Sequence, residues 1–460
     1  MESGYVMSMK KLFDVDKHNL MFHNKALFAL LIPIVVEQLL NSFMGMVDTM
    51  MVSNLGSQAI SGVSLVDSVN NLIVQLFSAM ATGAAIVCSH YIGMKNKDGA
   101  NKAARQVVLT VAVIAVTITI LGLIFRRPLL SLIFGQVEPA VMDNAVDYFL
   151  FTALSYPFLA LFSAGSALFR SCGNSRYPMV VSVISNVFNV AGNALLMFVF
   201  KMGVSGAAIS TLISRVFCMV VIFIALSKPK LDIVVNNYAA IRPDFGLIKS
   251  ILAIGVPSGI ENSMFQFGKL AIQSTVSTLG TAAIAAQAMT NILENVNGIF
   301  GIGVGMCLMT VVGQTLGAGR KEEAKYYVVK LAGIAELGII ASCLLVYLLV
   351  EPITKLGGME PESARMCIEM VGAITIVKTL VWVFSFVPAY GMRAAGDVKF
   401  SMMTSIITMW GCRVALSIAL IRVFGMGPMA VWYGMFADWT IRGIIFTTRF
   451  LSGKWIKKVV

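Results

Sequence analysis

Charge is what this sequence has least of. Only 13% of its 460 residues are Asp, Glu, Lys or Arg, against about 25% in an ordinary soluble domain. Histidine is scarcer still, with three residues in all, so no metal centre built on imidazoles is expected. The seven cysteines (88, 172, 218, 307, 343, 367 and 412) are an odd number without Cys-x-x-Cys spacing. That argues against a disulfide framework and a thiolate metal site, and leaves them as small apolar side chains. No clustered acids, His site or activated nucleophile forms a catalytic constellation, so an enzyme is not expected. The net charge of +12 comes without the interleaved aromatics of a nucleic-acid surface, and nucleic acid is not expected as a partner.

What is abundant is apolar. The chain is 58% hydrophobic with a mean hydropathy of +0.83, and apolar runs longer than about 18 residues recur throughout. Twelve segments read as transmembrane helices, at 26–52, 59–90, 103–125, 145–169, 178–200, 205–227, 246–274, 282–313, 326–350, 366–392, 400–421 and 428–448. Lys and Arg concentrate in alternate loops, as in the groups Lys10, Lys11 and Lys17, Lys95 to Arg105, and Arg320 to Lys330. The opposite loops hold only Arg126, Arg127, Lys201, Lys355, Arg365 and Arg422, which by the positive-inside rule makes both termini cytoplasmic. The polar stretch Met1 to Lys25 leads straight into a full-length span, so no cleavable signal is expected. The expectation is an all-α polytopic protein of the plasma (inner) membrane, monomeric and surrounded by lipid.

Comparison of the chain with itself reveals a repeat. At an offset of 224, Pro33 meets Pro257, Glu37 meets Glu261, Phe43 meets Phe267, Leu55-Gly56 meets Leu279-Gly280, and Gly93 meets Gly317. Further on the offset becomes 223, and Arg170-Ser-Cys-Gly-Asn meets Arg393-Ala-Ala-Gly-Asp. Each half holds six spans, so the repeats are parallel, a plan common among secondary transporters. The polar stretch around Pro229 and Pro243 separates them, which gives an N-terminal lobe (1–227), a cytoplasmic linker (228–245) and a C-terminal lobe (246–460). The shared Pro33 and Pro257 suggest a kink in each leading helix, and Gly255-xxx-Gly259 and Gly301-xxx-Gly305 permit close helix contact.

The halves differ where polar residues enter the spans. Asp48 lies inside the first span, where an ionised carboxylate costs several kcal/mol unless it faces a partner, a cavity or a cation. Its repeat mate is Ile272, and the mates of Asn189, Asn193 and Thr211 are Cys412, Leu416 and Met435. Counted at roughly 1.5 Å per residue, Asp48, Asn193 and Thr211 fall at similar depth, with Asn189 one turn away from Asn193. These four make a candidate cation-coupling site, able to share a proton or to ligate Na⁺; interhelical hydrogen bonding is the plainer reading of the two asparagines. A second stripe, Asp67, Asn70 and Asn71, has Asn291, Glu294 and Asn295 as repeat mates; with Asn41, Met44 and Lys378 these are candidate substrate-cleft residues. Lys269, Lys378 and Arg413 in the C-terminal half either pair with acids such as Glu294 and Glu336 or make one side of the cleft basic.

The run Pro33…Glu37-Gln38…Met44-Gly45-Met46-Val47-Asp48-Thr49, the Gly93 and Gly317 loops and the two Arg-x-x-Gly motifs resemble the multidrug and toxic compound extrusion (MATE) transporters over residues 26–450. The resemblance implies a 6+6 helix fold with a V-shaped cleft, and export of organic molecules in exchange for Na⁺ or H⁺, with no resident cofactor. It is nearer to DinF-like than to NorM-like members. In the former the N-lobe site matches Asp48, Asn189 and Thr211, with an Asp where this chain has Asn193; the C-lobe carboxylates of the latter fall at Phe265 and Trp382. A lipid-linked precursor flippase of the same superfamily is the alternative, although such relatives usually carry extra C-terminal spans.

Overall fold

The structure, a computed structural model, describes residues 19–135, 138–229, 231–236 and 241–457. Lys10, Lys11 and Lys17, together with Lys230 and Lys458, which contribute to the orientation reading, lie outside the described residues.

Backbone polar groups inside a bilayer have no water to bond, so a segment that crosses it must satisfy them internally, and a helix does so. The chain accordingly forms α1 (Asn24–Ser53), α2 (Ser57–Gly93), α3 (Lys97–Ile124), α4 (Arg126–Phe134), α5 (Pro139–Leu154), α6 (Tyr156–Ser171), α7 (Arg176–Asn193) and α8 (Gly203–Leu226). Then follow α9 (Phe245–Val276), α10 (Thr281–Gly317), α11 (Lys321–Leu356), α12 (Pro361–Ala394), α13 (Val398–Thr408), α14 (Leu416–Arg422) and α15 (Met429–Leu451). These make the twelve spans of two six-helix bundles. The fourth span is α5 and α6 together, bent by 43° at Ser155, next to Pro157, which has no amide hydrogen to give. In the fifth span α7 runs on as a π turn over Ala194–Val199, and in the eleventh a π turn over Met409–Ala415 joins α13 to α14. The short helix α4 falls in a connection that the hydrophobic pattern leaves as loop. Gly56 and Gly280, repeat mates, take φ values of 107° and 95°, a region only glycine enters readily, and so turn the chain from each leading helix into the next.

Contacts divide the chain into two compact units, Phe28–Gly259 and Ile260–Val460, the second taking in the residues up to Leu27. In the first, α2 packs on α3, α5 and α6, and α7 on α8. The start of α9 approaches α2 backbone to backbone: a Cβ added at Gly83 would stand 2.7 Å from the Ile251 carbonyl oxygen, and one at Gly255 3.1 Å from Met80 Sδ. The polar linker is tied down by Gln106, whose amide donates to Arg242 O at 2.8 Å and accepts from Asp244 N at 3.0 Å. Arg170 meets its helix partner Glu37 at 3.2 Å, both side chains largely buried.

In the second unit α10, α11 and α12 pack on one another and α12 on α15. Gly301 and Gly305 on α10 receive the rings of Trp382 and Tyr390 from α12. Buried Trp432 donates its indole N–H to Gln287 Oε1 at 3.1 Å. The chain before α1 is held here too: Met21 N donates to Glu323 Oε1 at 2.6 Å and Phe22 N to the Tyr327 hydroxyl at 2.7 Å. Arg393 pairs with Glu261 at 2.6 Å, the repeat image of Arg170 with Glu37.

Candidate functional site

The polar cluster in the first unit is built by close approach of α7 and α8. Gly192 leaves room for Ser210, and Gly206 for the Leu196 backbone, where an added Cβ would meet the carbonyl carbon at 2.9 Å. With the helices this close, Ser210 Oγ donates to Asn189 O at 2.9 Å and the Asn189 amide to Thr211 Oγ1 at 3.2 Å. Asn193, one turn along from Asn189, donates from Nδ2 to Asp48 Oδ1 at 2.7 Å and to Asn189 Oδ1 at 3.4 Å. Asp48, Asn193, Asn189 and Thr211 thus form one continuous chain of contacts across α1, α7 and α8.

Asn193 is 1% exposed, and its Oδ1 is buried without a hydrogen-bond donor. A buried amide oxygen left unbonded costs about 1–3 kcal/mol, so this atom beside a carboxylate is what a cation would relieve. Among the described residues no three His, Cys, Asp or Glu side chains gather as a metal site. A cation here would have Asp48 as its one charged ligand beside neutral oxygens.

Further polar groups stand close by. Asp67 and Arg215 are near enough to act electrostatically on Asp48. Asn70, buried, donates to Asp67 Oδ1 at 3.3 Å and accepts from the Tyr156 hydroxyl at 2.6 Å, while Arg215 donates to Ser155 Oγ at 2.5 Å, at the break between α5 and α6. Arg215 and Tyr156 carry no role in the sequence reading. Their signal was available in part: Arg215 lies four residues after Thr211, on the same helix face. Tyr156 could be found only from the tertiary contact.

The remaining candidates are spread along the helices. Asn41 is exposed and accepts from Ser182 Oγ at 3.3 Å, and Met44 is half-buried. Asn71, Asn291 and Asn295 are exposed, Asn291 accepting from the Gln287 amide at 3.3 Å. Lys378 is fully buried and donates to Glu294 Oε1 at 2.7 Å, to Glu294 O at 3.1 Å and to Asn297 Oδ1. Asp438, which the sequence reading passes over, is fully buried between Arg442, at 2.8 Å, and Arg413, at 3.4 Å; its i,i+4 spacing to Arg442 was the available signal. At Ile272, the mate of Asp48, the second unit has an apolar cluster with Val276, Met409, Val414 and Val431.

Twelve spans in two repeated bundles, with charges and amides gathered inside them, define a polytopic membrane transporter. A family model described as MatE matches residues 33–195 and again 257–419, and the chain belongs to that family, a family of membrane proteins that export small molecules. The two matches begin 224 residues apart, as the repeat does. An uncharacterized transporter, YisQ, of Bacillus subtilis is 26% identical over 438 residues, covering 94% of this chain and 95% of the relative. A probable multidrug resistance protein NorM of Thermotoga maritima is 26% identical over 451 residues, covering 95% and 94%. Among solved structures, a MATE protein in complex with MaL6 superposes with a TM-score of 0.87 at 20% identity, covering 93% of this chain and 96% of that one, a likeness of fold.

Proposed function

We propose that the protein is a secondary antiporter that exports organic and xenobiotic molecules in exchange for inward H⁺ or Na⁺, and that Asp48 with Asn189, Asn193 and Thr211 takes the inward-moving ion. The observation that carries this reading is the Asn193 amide, with one end on the only carboxylate of the cluster and the other end unbonded. With Asp48 ionised, the N–H end of the amide faces it. A proton on Asp48, or Na⁺ beside it, makes the oxygen end the better neighbour, so the amide turns over and its orphan oxygen is satisfied. Turning Asn193 disturbs its bond to Asn189, and through Asn189 the contact to Thr211 on α8. Ion occupancy in this way changes the packing of α1, which carries Pro33 within it, and substrate affinity with it. The coupling is reciprocal, so bound substrate weakens ion binding by the same factor.

Within the family we place the chain with the DinF-like members, since the carboxylate is in the N-terminal half and Phe265 and Trp382 stand where NorM-like members carry acids. We place it in the plasma membrane as a monomer among lipids, and the positive-inside bias supports both termini in the cytoplasm. The test is exchange by reconstituted protein in liposomes under a Na⁺ gradient alone and an H⁺ gradient alone. The Asp48→Asn protein is expected to bind substrate and to lose uphill export under both. Uphill export at the parent rate by that variant would sink the assignment. Asn193→Asp, which adds a second carboxylate, is expected to change which ion drives export, and an unchanged ion dependence removes Asn193 from the site.

A further inference from the structure

The second unit gathers cations where the first gathers acids. Lys269 on α9, Lys378 on α12, Arg413 in the π turn and Arg442 on α15 surround two carboxylates, Glu294 and Asp438. By the repeat alignment the mates of these six residues are Gly45, Ser155, Val190, Cys218, Asn70 and Ser214, all uncharged. The cluster is therefore not a property of the shared scaffold.

Two of the four cations are fully engaged. Lys378 is bonded to Glu294 and Asn297 as described, and Arg442 to Asp438 and to Thr408 Oγ1 at 3.2 Å, its guanidinium over Phe386. The other two are not. Arg413 is 3% exposed, yet its Nε and the facing Asp438 Oδ2 are both buried without a hydrogen-bond partner, and its guanidinium rests 4.8 Å from the Phe265 ring centroid. Lys269 has no carboxylate within 4.0 Å among the described residues, and its Nζ lies 5.5 Å from the centroid of the same ring. A lysine near a helix end in a membrane ordinarily snorkels to the nearer surface. Here the nearer end is Val276, and the ammonium leans the other way, back over Phe265 one turn earlier, on the side where Glu294 and Arg413 act on it. Lys269 is exposed, so a ligand can reach it.

We propose that Lys269 binds the anionic group of the exported molecule, a carboxylate, sulfonate or phosphate, with the buried positive charge of Arg413 adding to the attraction, while Phe265 between them takes its apolar body. The inference deepens the export reading and rests on it: the substrates are anionic or zwitterionic amphiphiles rather than simple cations. An anion bound at the accessible Lys269 supplies it with acceptors and offsets a cluster in which basic groups outnumber acids.

The test uses the full chain in nanodiscs of phosphatidylcholine, which carries no net charge, and two xanthene dyes of similar shape and opposite sign, fluorescein and rhodamine 6G, titrated by fluorescence anisotropy. Fluorescein is expected to bind the parent at least about tenfold more tightly than rhodamine 6G. Lys269→Gln, a change at an accessible side chain that breaks no ion pair, is expected to weaken fluorescein by about tenfold, and Lys269→Glu to reverse the preference. Tighter binding of rhodamine 6G by the parent, binding of neither dye, or fluorescein affinities within about twofold across parent and both variants each overturns the proposal. The two readings fail separately. Fluorescein binding that follows residue 269 while Asp48→Asn still exports uphill sinks the ion coupling and keeps the anion site, and coupled export with dye binding indifferent to residue 269 does the reverse.

Discussion

Ile272 is 7% exposed in a cluster of aliphatic side chains, whereas Asp48, at the same place in the other repeat, has an amide donor at 2.7 Å. The two sites make opposite demands on the same substitution. Ile272→Asp puts a carboxylate where no donor faces it and is expected to destabilise the protein by about 2.5–3.5 kcal/mol, read as a fall in the thermal unfolding midpoint in detergent. Asp48→Ile is expected to leave that midpoint unchanged or raise it, because it removes a desolvated charge. An equal fall for both would mean that Asp48 is structural. Cys172, just past the end of α6 and outside the spans, differs from a reactive thiol by its surroundings: burial pushes its thiol up to about 12. Since the thiolate is the nucleophile and the group is protonated throughout neutral pH, Cys172 left as the single cysteine is expected to resist maleimide at pH 7–8. Labelling at the rate of an exposed cysteine would contradict that burial.

At the scale of elements, glycine decides how near two helices come. Gly83 on α2 faces the backbone of α9 at Ile251 and Gly255, and backbone has no rotamer with which to move aside. Gly83→Val is therefore expected to cost about 1–3 kcal/mol as an overpacked contact, with a lower melting temperature as the readout. Gly45, at which an added Cβ meets nothing within 4 Å, serves as the control and is expected to tolerate Ala. The hydrophobic pattern located all twelve spans and missed α4, since a nine-residue helix is too short to register as a span. It also left the two π turns unseen. They widen the fifth and eleventh spans where Asn193 ends the α-helix and where Arg413 projects, and π turns collect at functional sites.

At the scale of the whole molecule the two units repeat one architecture and carry different chemistry. Each repeat has its own buried pair, Glu37 with Arg170 and Glu261 with Arg393. Removing one partner of a buried pair costs about 3–5 kcal/mol because the other charge is stranded. Arg170→Gln and Arg393→Gln are each expected to lower the melting temperature, and the double variants Glu37→Gln/Arg170→Gln and Glu261→Gln/Arg393→Gln to recover most of the loss. No recovery would mean that the arginines act through other contacts. The repeat and the identity of all four residues were legible in the sequence; that the glutamate of each half reaches the arginine of the same half was not.

The sequence by itself determined the twelve spans, their duplication and the place of Asp48 in the first of them, because the cost of exposing backbone and charge to lipid acts residue by residue along the chain. It also indicated which polar residues of α7 and α8 stand at the depth of Asp48, since helical rise is constant. Only the tertiary structure decided which end of Asn193 meets Asp48, that Lys378, Arg413 and Arg442 are tied to carboxylates while Lys269 is left over, and that Tyr156 and Ser155 bring the bend between α5 and α6 to Asn70 and Arg215. Partnership between charges depends on distances between different helices, fixed by close approaches such as Gly192 to Ser210, and those distances are a property of packing rather than of any one segment.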